Sequence, residues 1–128
     1  MKLKKKKETY GAVIVEVEGN LIGGPESEKF HAFFKELINE GKTNIIVNLK
    51  KVPWANSQGI GMLIGAHTSI KNAGGELILT NVVDRIESLL VVTQLLRIFK
   101  SYDTEDEAVK HFTDKRESGD ETGASAGA

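Results

Sequence analysis

The order of apolar patterns along this 128-residue chain is the feature that most constrains its fold. Short strand-like runs and longer runs of helical periodicity follow one another as strand, strand, helix, strand, helix, strand, helix, strand, helix. Such an alternation predicts a single α/β domain with a mixed central sheet of about five strands, mostly parallel after an opening hairpin, and about four helices. A chain of this length can bury a core of its own.

The element boundaries follow from apolar spacing and from turn residues. Strands are expected in the sequences LKKKKET, AVIVEVE, TNIIVNL, ELILTN and IFKSY, with a turn at Tyr10–Gly11 inside the opening hairpin. Helices are expected over residues 25–40, 58–72, 84–98 (as two short pieces) and 103–112. We expect residues 1–113 to form the domain, and residues 114–128, which are almost free of apolar side chains, to form a disordered polar tail.

Composition and charge exclude several classes of protein. The net charge is −1, so nothing in the overall charge points to nucleic acid. The chain has no cysteine, which excludes disulfides and thiolate chemistry.

Lys4–Lys7 suit an edge strand that lysines protect from pairing. Glu16 and Glu18 interrupt the apolar run that a signal peptide would need, and no run approaches a membrane span. We therefore expect a cytoplasmic protein without membrane or nucleic-acid partners.

One stretch, PWANSQGIGMLIGAH at residues 53–67, lies where a functional site is expected. It follows the third predicted strand and leads into the second predicted helix. In open α/β sheets, sites lie beyond the carboxyl ends of the strands.

The glycines of this stretch do not match a nucleotide-binding or catalytic motif. Gly59 and Gly61 are followed by Gly65, one residue too late for a dinucleotide fingerprint, and no Gly-Lys-Ser/Thr ending is present. A nucleophile elbow needs a glycine two residues before its serine, whereas Ala55 stands two residues before Ser57 in this chain. We therefore expect no catalytic residue and no cofactor.

The histidines offer neither a base for a nucleophile nor a metal site. His31, His67 and His111 have no spacing that would gather them beside Ser57, and no pair matches a metal-ligand spacing. His67, on an apolar helix face, is most simply a core residue.

Ser57 stands directly before a helix whose first backbone N–H groups lack partners. A serine at this place is most simply an N-cap. The same geometry also tolerates a phosphate, because a helix N-terminus favours anions, and a phosphate would change what docks on the surface. Gly59 and Gly61 would leave the helix start open to an approaching partner. Both interpretations of Ser57 stay open at this point.

The segment VEGNLIGGPESEKF through GGELILTNV resembles a STAS domain of the anti-sigma factor antagonist type. The resemblance covers roughly residues 5–113. It includes the serine turn with Gly-x-Gly, the KNAGGEL passage to the next strand and the late DTEDEAV sequence. It implies a regulator that binds an anti-sigma factor which is also a serine kinase, and so frees a sigma factor. It also implies phosphorylation in the turn before the second helix.

Two departures from the family pattern bear on that switch. The family's turn reads Asp-Ser-Ser-Gly-Leu-Gly with the second serine as acceptor, and Asn56, Ser57 and Gln58 stand at its first three positions here. Gln58 cannot be phosphorylated, so either Ser57 is the acceptor or the protein binds its partner without this switch. The acidic residue that often follows the second strand is Ile22 here. An accessory subunit of a transport or signalling complex is the alternative function.

The partner surface is predicted from helical spacing around the same turn. We expect the solvent side of the second helix to carry Gln58, Met62, Ala66 and Ser69. Met62 would adapt to a partner, or would simply be a semi-exposed packing residue. The complete predicted partner-binding set is Ile22, Asn56, Ser57, Gln58, Gly59, Met62, Ala66 and Ser69.

Overall fold

The structure, a computed structural model, describes residues 1–9 and 11–117. Its strands are β1 Lys2–Thr9, β2 Ala12–Glu18, β3 Asn44–Lys51, β4 Glu76–Thr80 and β5 Lys100–Tyr102. Its helices are α1 Glu26–Asn39, α2 Ser57–Asn72, α3 Asp84–Val92 and α4 Glu105–Glu117, and a 3₁₀ turn lies at Leu95–Arg97. This order confirms the predicted α/β fold, including the division of the third helical segment into two pieces.

The five strands form one sheet in the order β1-β2-β3-β4-β5. β1 and β2 pair antiparallel, whereas β2, β3, β4 and β5 pair parallel. β1 is an edge strand, and Lys4–Lys7 are exposed along it as predicted. Since parallel strands end at the same edge, the loop that follows β3 lies beside the loop that follows β2.

Apolar side chains fill the space on both faces of the sheet. Alternate residues of a strand point to opposite faces, so Val13, Val15 and Val17 face α1, α2 and α3, while Ile14 faces α4. The smaller core under α4 contains Ala12, Ile14, Ile46, Ile78, Ala108 and Phe112. β3 is covered on both faces, which explains why its sequence reads as a nearly continuous apolar run.

α4 is longer than the sequence predicted. It continues to Glu117, so residues 114–117, which we expected in the polar tail, are helical. A tertiary contact accounts for the extension: the Lys115 Nζ atom lies 3.2 Å from the Glu76 Oε1 atom on β4. The rest of the predicted tail, residues 118–128, and Tyr10 of the predicted turn lie outside the described residues.

None of the helices within residues 1–9 and 11–117 is both long enough and apolar enough to span a bilayer.

Candidate functional site

The loop before α2 is tied to the loop after β2. Leu21 and Ala55 form an isolated parallel bridge. The Leu21 N–H donates to the Trp54 carbonyl at 3.0 Å, and the Asn56 N–H donates to the Leu21 carbonyl at 3.0 Å. We call residues 21–24 and 53–58 together the corner. Its two segments are held in register by main-chain bonds, at the sheet edge where the sequence predicted a site.

Asn56, rather than Ser57, is the N-cap of α2. Its side-chain Oδ1 accepts a hydrogen bond from the Gly59 N–H at 2.8 Å, and its Nδ2 donates to the Ile22 carbonyl at 3.2 Å. The extended backbone of Asn56, with ψ of −178°, lets its side chain turn back over the helix start. Ser57 is the first helical residue, and its side chain is exposed. The predicted cap was therefore wrong by one residue.

Gly59 is buried and does not face a partner. A Cβ atom at this position would overlap the carbonyl of Leu21, so only glycine lets α2 approach the β2 loop this closely. The prediction that Gly59 keeps the helix start open to another protein was wrong, because the space is already filled by the chain itself. Gly61, in contrast, is exposed and has open space around it.

Gln58 is exposed and lies against Gly23 across the corner. Gly23 has φ of +78°, and a Cβ placed there would come within 2.7 Å of the Gln58 Cβ. The same two segments carry two large apolar side chains that are partly exposed, Ile22 at 43% and Trp54 at 41%. Trp54 was not in the predicted partner-binding set. Its position in a Pro-Trp loop directly before the serine turn was the available signal.

The outer face of α2 differs from the predicted one. Ala66 is buried, while Met62 and Ser69 are half-buried, and Met62 packs against the main core. The exposed positions beyond the first turn include Gly61 and Gly65. Helical spacing predicted a single buried face on α2 and therefore placed Ala66 in solvent. The helix instead packs against both the sheet and α1, so a second face is covered. A groove of about 470 Å³ remains between α1 and α2, and Met62 and Ala66 line it.

The histidines stay apart from the corner. His31 is exposed on α1, and His111 lies on α4. His67 is half-buried, its ring stands edge-on to Phe99 with centroids 5.3 Å apart, and burial lowers its pKa. Among the described residues, no three His, Asp or Glu side chains are placed to hold a metal ion.

The fold is that of one α/β domain with a corner at the carboxyl edge of its sheet, and sequence comparison gives the family: the chain belongs to the STAS domain family, which matches residues 4–108. A relative in Thermotoga neapolitana, provisionally named an anti-sigma factor antagonist, is 33% identical over 87 residues, 65% of this chain and 77% of the relative. The chain is therefore a STAS protein similar to anti-sigma factor antagonists.

Solved structures show the same relationship. The crystal structure of a protein from Thermotoga maritima, also provisionally named an anti-sigma factor antagonist, has a TM-score of 0.71 and 29% identity, and the match covers 83% of this chain and 91% of that one. The phosphorylated form of the Bacillus cell fate determinant SpoIIAA has a TM-score of 0.65 at 22% identity, covering 86% of this chain and 98% of that one. At that identity the second match shows the fold alone.

Proposed function

We propose that this protein is an anti-sigma factor antagonist, which binds an anti-sigma factor through the corner and thereby releases a sigma factor. In this proposal it acts in the cytoplasm as a regulator rather than as an enzyme. The observation that carries the proposal is the exposure of Ser57 and Gln58 at the start of α2, in a chain of this family. The names of its relatives in Thermotoga support the same function.

The surroundings of Ser57 and Gln58 suit a protein partner. Ile22 and Trp54 are large apolar side chains that remain partly exposed beside them. Exposed apolar residues that cluster at one place are typical of interaction surfaces, and tryptophan is enriched among the residues that dominate binding energies. The hydrogen bonds between the two corner loops hold this surface in place before a partner arrives, which lowers the entropic cost of binding.

Gln58 makes this corner chemically different from the usual family switch. Its neutral amide occupies the position that the family resemblance assigns to the phosphate acceptor, and it packs against Gly23. We therefore propose that binding here is not switched off at position 58. Ser57, the hydroxyl one residue earlier, is the remaining acceptor candidate in the corner. A phosphate on Ser57 would lie at the N-terminus of α2, where the helix dipole favours negative charge.

The test uses the full chain and a serine-kinase anti-sigma factor from the same organism, with MgATP. Complex formation is followed by calorimetry, and phosphorylation by intact mass and peptide mapping. We expect a complex that persists with ATP, and no phosphoryl group on the chain. Gln58→Ser, which restores the family's acceptor, is expected to become phosphorylated and to leave the complex. Phosphorylation of the unaltered chain at Ser57, with loss of the complex, would establish the switched alternative instead.

A charge variant tests whether the corner is the binding surface. Gln58→Glu places a negative charge at the centre of the proposed interface, and we expect it to weaken binding by about tenfold or more. The matched control is Asn72→Asp, which makes the same change from amide to carboxylate at the exposed far end of α2. Binding that is equally unaffected by both changes, or absent with every kinase-type anti-sigma factor tried, would contradict the proposal.

A further inference from the structure

A second concave site lies at the opposite end of α2 from the corner. It is a cavity of about 440 Å³ between the last turns of α2, the beginning of β4, and the segment that enters β5. This volume is within the range of small-molecule sites. Gln58 and Lys71 of α2 are separated by 13 helical steps, about 20 Å at 1.5 Å per residue, so a molecule in this cavity would not compete for the corner.

The rim of the cavity is strongly basic in a chain whose net charge is −1. Lys71, Arg97, Lys100 and Lys115 line it, and Glu76 is the single acidic residue among the described side chains that line it. Glu76 already contacts Lys115 and the His111 Nε2 atom, at 3.2 Å and 2.9 Å. Of the other cations, Lys71, Arg97 and Lys100 form no ion pair with any carboxylate in the described part of the chain. The cavity therefore has an unbalanced positive rim.

The inner wall is apolar and aromatic. Phe99 is buried, and its ring meets the edge of the His67 ring, while Leu77 and the partly exposed Ile98 continue the wall. The Nδ1 atom of His67 is buried without a hydrogen-bond partner among the described residues. Burial lowers the pKa of His67 and so favours the neutral ring, which suits the apolar wall rather than the cationic rim.

We propose that this cavity binds a small organic anion, one that has a flat apolar body and carries a phosphate or carboxylate group. The apolar body would lie against Phe99 and Ile98, and the anionic group would be held at the rim by Arg97 and Lys100. Arginine and lysine are the usual partners of phosphate and carboxylate, and arginine can bind either group with two parallel hydrogen bonds. The site rests on neither the corner nor the proposed regulatory function.

The test is a titration of the isotopically labelled full chain, followed by the shifts of its backbone amide signals. The probes are phenyl phosphate, benzoate, inorganic phosphate and phenol, so that the two anionic groups and the two halves of the ligand are compared separately. We expect saturable shifts near Lys71, Phe99 and Lys100 with phenyl phosphate or benzoate, and at least about tenfold weaker binding of inorganic phosphate and phenol. Shifts that spread over the surface, or that phenol reproduces, would overturn the proposal.

Charge variants supply the matched control. The double variant Arg97→Gln/Lys100→Gln should weaken binding of the better anionic probe by about tenfold or more. Lys35→Gln/Lys110→Gln removes the same charge from exposed positions outside the cavity. This variant should change the affinity for that probe by less than about twofold. All four side chains are exposed, so both variants should keep the amide spectrum of the folded chain. Equal weakening by the two variants would mean nonspecific charge attraction and would refute the site.

A further variant excludes the chain's own acidic residues as the occupant. Asp120→Asn/Glu121→Gln neutralises two carboxylates that follow α4 in the sequence. We expect probe affinity to change by less than about twofold. A gain of about tenfold would show that this segment competes for the cavity, and would overturn the assignment to a small molecule.

Discussion

The Gly59 Cα, in the first turn of α2, lies directly against the main-chain carbonyl of Leu21 in the loop after β2. A methyl group at Gly59 would have to displace main-chain atoms that also form the bridge between Leu21 and Ala55. This contact fixes how closely the two halves of the corner approach.

Gly59→Ala should destabilise the protein although alanine favours helix formation. We expect a loss of about 2 kcal/mol or more in the free energy of unfolding, because the overlap is with backbone and no flexible side chain can move aside. Urea denaturation measures it. Gly61→Ala is the matched control, because nothing lies within 4 Å of the added Cβ, and it should raise stability by up to about 1 kcal/mol. Equal effects at the two glycines would contradict the described packing.

Removing the side chain of Asn56, and not that of Ser57, should lower the free energy of unfolding through loss of the α2 cap. Asn56→Ala removes the acceptor of the Gly59 N–H and the donor to the Ile22 carbonyl, and we expect it to cost about 1–2 kcal/mol. Ser57→Ala should change stability by less than about 0.5 kcal/mol, because an exposed first-turn hydroxyl makes no cap bond. Urea denaturation of both variants decides the matter. The reverse order of effects would make Ser57 the cap, as the sequence first suggested.

The link between α4 and β4 should weaken in acid. Burial works to raise the pKa of Glu76, but hydrogen bonds from His111 and Lys115 outweigh it and hold the pKa below its ordinary value of 4.5. A depressed carboxyl pKa in the folded state stabilises the fold fully above about pH 4.5, and the stabilisation is lost as the pH falls through the folded pKa. The contribution of such partly exposed pairs is about 0.5–1 kcal/mol.

Glu76→Gln should therefore lower stability at pH 7, and the difference from the unaltered protein should shrink as the pH falls below about 4.5. Thermal unfolding followed across pH 3–7 measures this difference. Glu36→Gln, at an exposed position on α1, is the control and should give a difference that is small throughout. A Glu76→Gln difference that stays constant over the whole range would rule out the ion pairs as its cause.

The packing of α4 against the second face of the sheet should depend on Phe112. Its side chain is buried in the core between α4 and the sheet, and Phe112→Ala should cost about 3–5 kcal/mol in the free energy of unfolding. Lys110→Ala, on the exposed side of the same helix, should cost less than about 0.5 kcal/mol. Denaturant unfolding followed by helical circular dichroism compares them. A small cost for Phe112→Ala would mean that α4 does not cover the sheet.

Element order, strand direction and the apolar periodicity of the strands and of α1 could be predicted from the sequence of this protein. Val13, Val15 and Val17 repeat with period two, and Phe30 and Phe34 with helical spacing, and each period is a local property of the chain. The family motifs around the serine turn could also be recognised in the sequence, because each is a short continuous stretch. The position of the corner at the carboxyl edge of the sheet followed from the strand order alone.

Tertiary structure alone decided which residues of the corner face outward and where the helix cap lies. Ser57 and Asn56 are both good caps in isolation, and the bond from Asn56 to the Ile22 carbonyl depends on a loop far away in sequence. Gly59 is covered by Leu21, and Ala66 is covered where α2 packs against α1. In both cases the covering segment is also distant in sequence. Local periodicity gives the direction of a side chain on its own helix, but only packing between distant segments determines what covers it.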